Sequence, residues 1–174
     1  MKKIFEDLKI RFEISGFTFR HDKQAFLTAR KEQAVALITH LRDNLHYTHL
    51  VMMTCVDWLE DDLFQLTYIL HSHTDHTDIG IKVMLPRDTP VMEGIHHLWE
   101  QARVYQRELH EMFGLDFPGS PGMTEPMILE GWQGIPVMRR DFDTKKYSDE
   151  TYSHRPREMH EPEDYMKQQL YPED

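Results

Sequence analysis

The segment from His71 to His76 holds the densest set of metal-ligating side chains in this 174-residue sequence. It reads His71-Ser72-His73-Thr74-Asp75-His76, so three imidazoles and a carboxylate stand within one short stretch. Neutral imidazoles and a carboxylate on a tight loop can hold two Zn²⁺ ions, and zinc lowers the pKa of bound water enough to supply hydroxide at neutral pH. The chemistry that this segment can support is metal-dependent hydrolysis.

The order of these residues is similar to the H-x-H-x-D-H metal signature of metallo-β-lactamase-fold hydrolases. That family also needs a Gly-His pair and further ligands downstream, whereas the next histidines here are His96, His97 and His110, on a predicted helix. The segment also joins two predicted neighbouring strands, as an ordinary hairpin loop does. We therefore favour a solvated polar loop and keep a metal-dependent hydrolase using the His71–His76 loop as the alternative.

Composition excludes several other functions. Thirty acidic residues against twenty basic residues give a formal net charge of −10, which argues against binding to a phosphate backbone. The single cysteine, Cys55, excludes an internal disulfide framework and any cluster or zinc site built from cysteines alone. The sequence contains neither a Walker-type phosphate loop nor a serine nucleophile elbow. No apolar run approaches the roughly 20 residues that span a bilayer, so we expect a soluble domain without its own active site.

Charged residues cluster at the end of a predicted helix, in the segment 105–114. If the apolar residues of this helix face the core, three charged residues fall on its flanks: Arg107, Glu108 and Glu111. An unpaired buried charge costs several kcal/mol, so these side chains need partners. Arg139-Arg140-Asp141, further along the chain, are candidates for that pairing.

Hydrophobic periodicity predicts the elements that position these residues. Helical spacing is found at residues 2–14, 30–44 and 94–113, the last about 30 Å long at 1.5 Å per residue. Phe17–Arg20 and Ala25–Thr28 flank a polar tetrapeptide and predict a hairpin. Strands are predicted at 47–56, 63–71 and 79–85. The first of them is a continuous β-branched and Met-rich run, which is consistent with a strand buried on both faces.

The chain changes character after residue 113. Five of the eight glycines and four of the nine prolines lie between residues 114 and 136, which indicates an extended, turn-rich arm over 114–142. Residues 143–174 contain nine acidic residues and no Val, Ile or Ala. We expect this acidic tail to become ordered only on a partner. The predicted organisation is a core domain at 1–113, the arm at 114–142 and the tail at 143–174.

A family resemblance is visible at the end of the predicted helix. Tyr105-Gln106-Arg107-Glu108 with Glu111-Met112-Phe113-Gly114 is similar to the E-R-E-x-x-D-M-F-G signature of the C subunit of respiratory complex I (NADH-quinone oxidoreductase). Related subunits occur in plastoquinone-linked and F420H2 dehydrogenases and in membrane-bound nickel–iron hydrogenases. Leu129–Pro136 followed by Arg139-Arg140-Asp141-Phe142 resembles the W-x-G-H-P-L-R-K-D-F ending of the family. With upstream matches in the same order, the resemblance covers Tyr47 to Phe142.

The chain departs from that pattern at several places. Gln106 replaces the usual first Glu of the signature, and Ser120 replaces a common His. Met123-Thr124-Glu125 stands where the family often carries two arginines, and Ile135 replaces another His. Because of these departures, a divergent branch, such as a membrane-bound hydrogenase or formate hydrogenlyase, is kept as the alternative to an NADH-quinone oxidoreductase subunit.

The resemblance implies a fold, a role and partners. The fold would be α+β, a mostly antiparallel sheet of four to five strands with helices packed on it, followed by the extended arm. The role would be that of a non-catalytic, cofactor-free subunit in the hydrophilic arm of an ion-translocating oxidoreductase, peripheral on the cytoplasmic side of the membrane. Its partners would be a large catalytic subunit related to nickel–iron hydrogenases and a small subunit that carries iron–sulfur clusters. A free-standing adaptor domain is a further alternative.

The resemblance also assigns interface or structural residues, and no catalytic, cofactor or metal-binding residue. They lie at the helix end and along the arm: Arg107, Glu108, Glu111, Phe113, Gly114, Pro121, Trp132, Arg139, Arg140, Asp141 and Phe142. We expect the charged members either to hold the arm down or to contact the neighbouring protein.

Overall fold

A computed structural model describes residues 2–152 and Leu170. The described residues form five strands, four α-helices and one short 3₁₀ turn. The strands are β1 (Ile14–His21), β2 (Gln24–Ala29), β3 (His49–Trp58), β4 (Leu63–Ser72) and β5 (Thr77–Pro86), and the 3₁₀ turn is Leu59–Asp61. The helices are α1 (Lys2–Arg11), α2 (Lys31–Asn44), α3 (Ala102–Phe113) and α4 (Thr144–Thr151). Residues 1–142 form one compact unit, and α4 belongs to a second unit that begins at Asp143.

The strands form one sheet in the order β1-β2-β5-β4-β3. The pairs β1–β2, β4–β5 and β3–β4 are antiparallel, and the pair β2–β5 is parallel. The α+β fold with a mostly antiparallel sheet is therefore confirmed. The predicted hairpin at residues 17–28 is also confirmed, since β1 and β2 pair across a short turn.

The hydrophobic core lies on one face of the sheet. The inward residues of β4 and β5, from Phe64 to Leu70 and from Ile79 to Leu85, alternate with less buried ones, as a strand with one packed face requires. They share one buried cluster with residues of α1, α2 and α3. Because α1, α2 and α3 pack on this side, Val56 and Trp58 lie exposed on the opposite face of the sheet within residues 2–142.

The prediction that the first long strand is buried on both faces is wrong. β3 lies at an edge of the sheet, where only Leu50, Met53, Cys55 and Asp57 are buried. An edge strand has a neighbour on one side only, and its free carbonyl groups invite pairing with other chains. Here side chains that precede or begin α3 cover them.

Three donors cover the edge of β3. The Trp99 indole N–H donates to the carbonyl of Thr48, the residue just before β3, at 2.7 Å, and the Gln101 amide donates to the carbonyl of Leu50 at 2.5 Å. The Tyr105 hydroxyl donates to the carbonyl of Val51 at 3.2 Å. These contacts occupy acceptor groups that would otherwise be available to another strand.

The prediction of a helix from residue 94 is also wrong, because α3 begins only at Ala102. Residues 94–101 form turns instead, and His96 and His97 therefore lie outside the helix. The side chains of Trp99 and Gln101 reach β3, and Arg42 donates to the carbonyl of Leu98 at 3.0 Å. These tertiary hydrogen bonds hold the segment out of helical geometry although its apolar spacing continues.

The arm begins inside the core. Leu115 and Phe117 are fully buried in the same cluster as the sheet. The amide of Met92 donates to the carbonyl of Asp116, and the amide of Asp116 donates to the carbonyl of Pro90, so this stretch pairs with the loop after β5. From Gly119 to Phe142 the chain consists of turns, as its glycine and proline content predicts.

Hydrophobic periodicity did not indicate α4. Asp143 caps this helix by accepting a hydrogen bond from the amide of Lys146 at 2.9 Å. The expectation that residues 143–174 become ordered only on a partner stays a prediction, and most of that segment, 153–169 and 171–174, lies outside the described residues.

Candidate functional site

The end of the arm is held by a buried ion pair between β3 and the residue after β5. Asp57 accepts two hydrogen bonds from the Arg87 guanidinium, at 2.8 and 3.1 Å, and its side chain is 2% exposed. The backbone N–H of Arg140 donates to the same carboxylate at 2.9 Å. Arg87 also contacts Asp141 at 3.0 Å, and its pairing with Asp57 raises the pKa of its guanidinium. The Asp57–Arg87 pair therefore links the sheet to two consecutive residues of the arm, Arg140 through Asp57 and Asp141 through Arg87.

Arg139 ties the arm to the end of α3. Its Nε donates to the carbonyl of Phe113 at 2.7 Å, and the amide of Met138 donates to the carbonyl of Met112 at 3.0 Å. The last carbonyls of a helix lack partners within the helix, so the arm supplies the hydrogen bonds that α3 cannot make itself. The guanidinium also lies 5.2 Å from the ring centroid of Phe64, a cation–π contact.

Gly114 makes that arrangement sterically possible. It adopts a left-handed conformation with φ of 78°, which ends α3 in the way that glycine favours. A Cβ atom at this position would lie 2.7 Å from Nη2 of Arg139 and 3.2 Å from the ring of Pro136. A larger residue would therefore push the arm away from the helix end.

The Glu111 carboxylate holds the middle of the arm. It accepts hydrogen bonds from the amides of Met127, Ile128 and Leu129, at distances between 2.9 and 3.2 Å. Burial alone would raise the pKa of Glu111, but these backbone N–H groups, with the nearby Arg107 charge, lower it overall. The side chain is therefore ionised at neutral pH and acts as a fixed acceptor for one turn of the arm.

The remaining charged residues differ in the contacts that they make. Arg107 lies 3.4 Å from the exposed carboxylate of Glu125, and its buried Nε has no hydrogen-bond partner among the described residues. Glu108 is exposed. Arg140 forms an exposed pair with Glu60 at 2.5 Å, and this hydrogen bond lowers the pKa of Glu60.

Gln106 and Ser120 contact each other, although each departs separately from the family pattern. Gln106 is fully buried, and the Ser120 hydroxyl donates to its Oε1 atom at 2.9 Å. The Nε2 atom of Gln106 has no hydrogen-bond partner within the described part of the chain. The two departures thus produce one uncharged buried contact between α3 and the arm.

The predicted pairing between the two charged segments is wrong in detail. Arg139, Arg140 and Asp141 contact Phe113, Glu60 and Arg87, whereas Arg107 and Glu111 contact residues 125–129. Each segment therefore has partners other than the ones expected, because the arm passes Glu111 before it returns to β3. Sequence reasoning missed Asp57, Arg87, Glu60 and Glu125. The usable signal was Asp57, because a carboxylate at an inward strand position requires a buried partner.

The other predicted residues lie along the same arm. The Trp132 indole N–H donates to the carbonyl of Ile135 at 3.0 Å, and its ring contacts Phe142 edge-on at 5.7 Å between centroids. Phe113 packs edge-on against Phe64 at 6.2 Å. Pro121 is exposed.

The histidine segment forms the turn between β4 and β5. His71 contacts Asp78 at 2.7 Å, whereas Asp75 bonds to Ser72, so the side chains of the hypothetical metal site have separate partners. Within residues 2–152 and Leu170, no group of three or more His, Cys, Asp or Glu side chains is arranged to hold a metal ion. This geometry does not favour the metal-hydrolase alternative.

The family described as respiratory-chain NADH dehydrogenase, 30 kDa subunit, matches residues 27–148. The chain belongs to this family. The match includes every element that builds the site, from β3 through the end of the arm, and the predicted resemblance to the C subunit of complex I is confirmed.

Two curated relatives of this chain illustrate the range of the family. The C subunit of NADH-quinone oxidoreductase from Moorella thermoacetica is 30% identical over 142 residues, which cover 82% of this chain and 90% of the relative. The C subunit of F420H2 dehydrogenase from Methanosarcina mazei is 26% identical over 113 residues, covering 65% and 72%. The chain is therefore a subunit of the complex I family.

A solved structure shares the fold. A chain of the membrane-bound sulfane sulfur reductase, an archaeal respiratory membrane complex, superposes with a TM-score of 0.81 at 20% identity, covering 90% of this chain and 93% of that one. Among the described residues, no helix of this 30 kDa-type subunit is both long enough and apolar enough to cross a bilayer.

Proposed function

We propose that this chain is a non-catalytic structural subunit in the peripheral arm of a membrane-bound, ion-translocating oxidoreductase. It docks on a large catalytic subunit related to nickel–iron hydrogenases, next to the small subunit that carries iron–sulfur clusters, on the cytoplasmic side of the membrane. The iron–sulfur clusters belong to those partners, and this chain contributes position rather than redox chemistry.

The observation that carries this proposal is the way the arm is held. Its polar anchors, Glu111, Arg139 and Asp141, are used for contacts within the chain. Three apolar side chains of the arm are exposed instead: Ile128 is 71% exposed, Met138 is 57% exposed and Ile135 is 46% exposed. An arm that is hydrogen-bonded to the core and presents several apolar side chains to solvent supports a surface that another protein covers.

A hydrogenase or formate hydrogenlyase branch of the same superfamily is the second candidate. The Gln106–Ser120 contact favours it, because both residues depart from the pattern of the NADH-linked enzymes and replace it with a neutral pair. The branches differ in their electron donor, so subunits recovered with the chain distinguish them.

The test is recovery of the assembly from gently solubilised membranes, followed by mass spectrometry of the proteins that co-elute with the chain. We expect a hydrogenase-like large subunit and a cluster-bearing small subunit in stoichiometric amounts. Ile128→Asp should reduce this recovery, because it places a charge in the covered surface. Ile10→Asp is the matched control, since Ile10 is 84% exposed on α1 and lies outside the arm. Equal recovery of both variants and the parent would contradict docking through the arm.

A further inference from the structure

A row of imidazoles crosses the face of the sheet opposite the core, where β4 ends. His49 on β3 stands directly opposite His71 on β4, and Asp78 on β5 stands opposite His71 on its other side. Residues two positions apart in a strand project from the same face, and His73 follows His71 at that spacing. Strand register therefore brings three histidines and one carboxylate together at this end of the sheet.

The ring of His73 lies between the other two imidazoles. Its centroid is 4.7 Å from that of His71, with the rings nearly perpendicular, and 5.5 Å from that of His49. His73 is exposed, and its ring nitrogens make no hydrogen bond to a described residue. Both nitrogens of His73 are therefore available to a ligand.

Asp78 determines which nitrogen of His71 is available. Its Oδ1 atom lies 2.7 Å from Nδ1 of His71. A carboxylate can only accept a hydrogen bond, so Nδ1 carries the proton and Nε2 of the neutral ring carries the lone pair. Histidines that bind metal ions commonly donate their other N–H to a carboxylate in this way, which fixes the orientation of the ring.

We infer that His71 and His73 together bind one Zn²⁺ ion, with Asp78 as the carboxylate that orients His71. Neutral imidazole is a preferred ligand of zinc, whereas Mg²⁺ prefers oxygen ligands. The three rings form a chain with His73 in the middle and do not surround one point, so the site has two protein ligands, and water completes the coordination.

This site differs from the one that the H-x-H-x-D-H order suggests. Asp75 is bonded to Ser72, and His76 has no ring contact with the His71–His73 pair among the described residues. The proposed ion stabilises the turn between β4 and β5, because it joins the last residues of β4 to the start of that turn. The inference does not depend on the proposed function.

The first test titrates the full chain, without an affinity tag, with ZnCl2 and follows the histidine ring signals by NMR. We expect saturable shifts of His71 and His73 with Zn²⁺ and none with MgCl2. His73→Ala should abolish these shifts, and Asp78→Asn should weaken binding about tenfold. His76→Ala, a change of an exposed histidine in the same turn, is the matched control and should bind like the parent. No saturable shift in the parent, or equal losses in His73→Ala and His76→Ala, would overturn the inference.

The second test measures thermal unfolding with and without ZnCl2. A ligand that binds the folded chain raises the unfolding midpoint by mass action. We expect this rise in the parent and in His76→Ala, and no rise in His73→Ala. An equal rise in all three proteins would indicate an adventitious ion only and would contradict a site at His71 and His73.

Discussion

At the scale of single residues, Asp57 determines how the arm returns to the sheet. It is buried on an edge strand and accepts hydrogen bonds from Arg87 and from the backbone of Arg140. We expect Asp57→Asn to destabilise the fold by about 3 kcal/mol, because it leaves the buried Arg87 charge partly uncompensated. Urea unfolding followed by circular dichroism measures this difference.

Glu60 provides the matched control for Asp57. Glu60→Gln removes the charge of an exposed partner of Arg140, and exposed ion pairs contribute little to stability. We expect its unfolding curve to overlay that of the parent. A similar loss of stability in both variants would show that general charge balance, and not burial of Asp57, governs this region.

Glu111 gives the stability of the chain a specific dependence on pH. Its pKa is lowered in the folded state, so its contribution is present above the ordinary carboxyl pKa of about 4.3 and is lost as the pH falls through the folded value. We expect the unfolding midpoint of the parent to fall more steeply below about pH 4.3 than that of Glu111→Gln. Parallel midpoint curves for the two proteins across the acid range would contradict this role.

The pairing of these residues was beyond what the sequence could predict. Residue types at the helix end indicated that Arg107 and Glu111 need partners, and that is a local argument from burial. Which partner each one finds depends on the path of an arm without regular structure. Asp57 and Arg87 meet because β3 and β5 flank β4, and only the completed sheet determines that geometry.

At the scale of elements, two glycines test whether the contact between the end of α3 and Arg139 stabilises the fold. Gly114 and Gly119 both have φ near 80°, but a Cβ atom on Gly119 would meet nothing within 4 Å, whereas one on Gly114 would meet Arg139. We expect Gly119→Ala to cost about 1 kcal/mol, the conformational term alone. Gly114→Ala should cost more, because it also displaces Arg139 from the carbonyl of Phe113. Thermal unfolding of the two variants compares them directly, and equal losses would exclude a steric role for Arg139.

Local patterns predicted most elements correctly and failed where tertiary contacts override them. The hairpin, α2, β4 and β5 were predictable because their apolar residues alternate along a strand or recur at helical spacing within the element itself. The apolar sequence of β3 is the same whether a strand is central or at an edge, so its exposure was not predictable. Residues 94–101 keep helical spacing, but hydrogen bonds from Trp99 and Gln101 to β3 outweigh a propensity of about a few tenths of a kcal/mol per residue.

At the scale of the whole molecule, Cys55 reports global unfolding. It is the only cysteine and is 7% exposed, and burial, with the nearby Asp57 charge, raises the pKa of its thiol to about 12. We expect a thiol reagent at about pH 8 to label it only when the chain unfolds, so the labelling rate should rise with urea in step with the circular dichroism signal. Rapid labelling in the absence of urea would show that β3 opens locally.

The parallel pairing of β2 with β5 has a kinetic consequence. The strands β3, β4 and β5 follow one another through short turns, so this meander can form from local contacts. The β2–β5 pair instead joins Gln24 to Asp78 and must close the long loop that contains α2 and two strands. We therefore expect the N-terminal hairpin to dock last, so that the edge of β5 is unpaired and open to aggregation until β2 pairs with it.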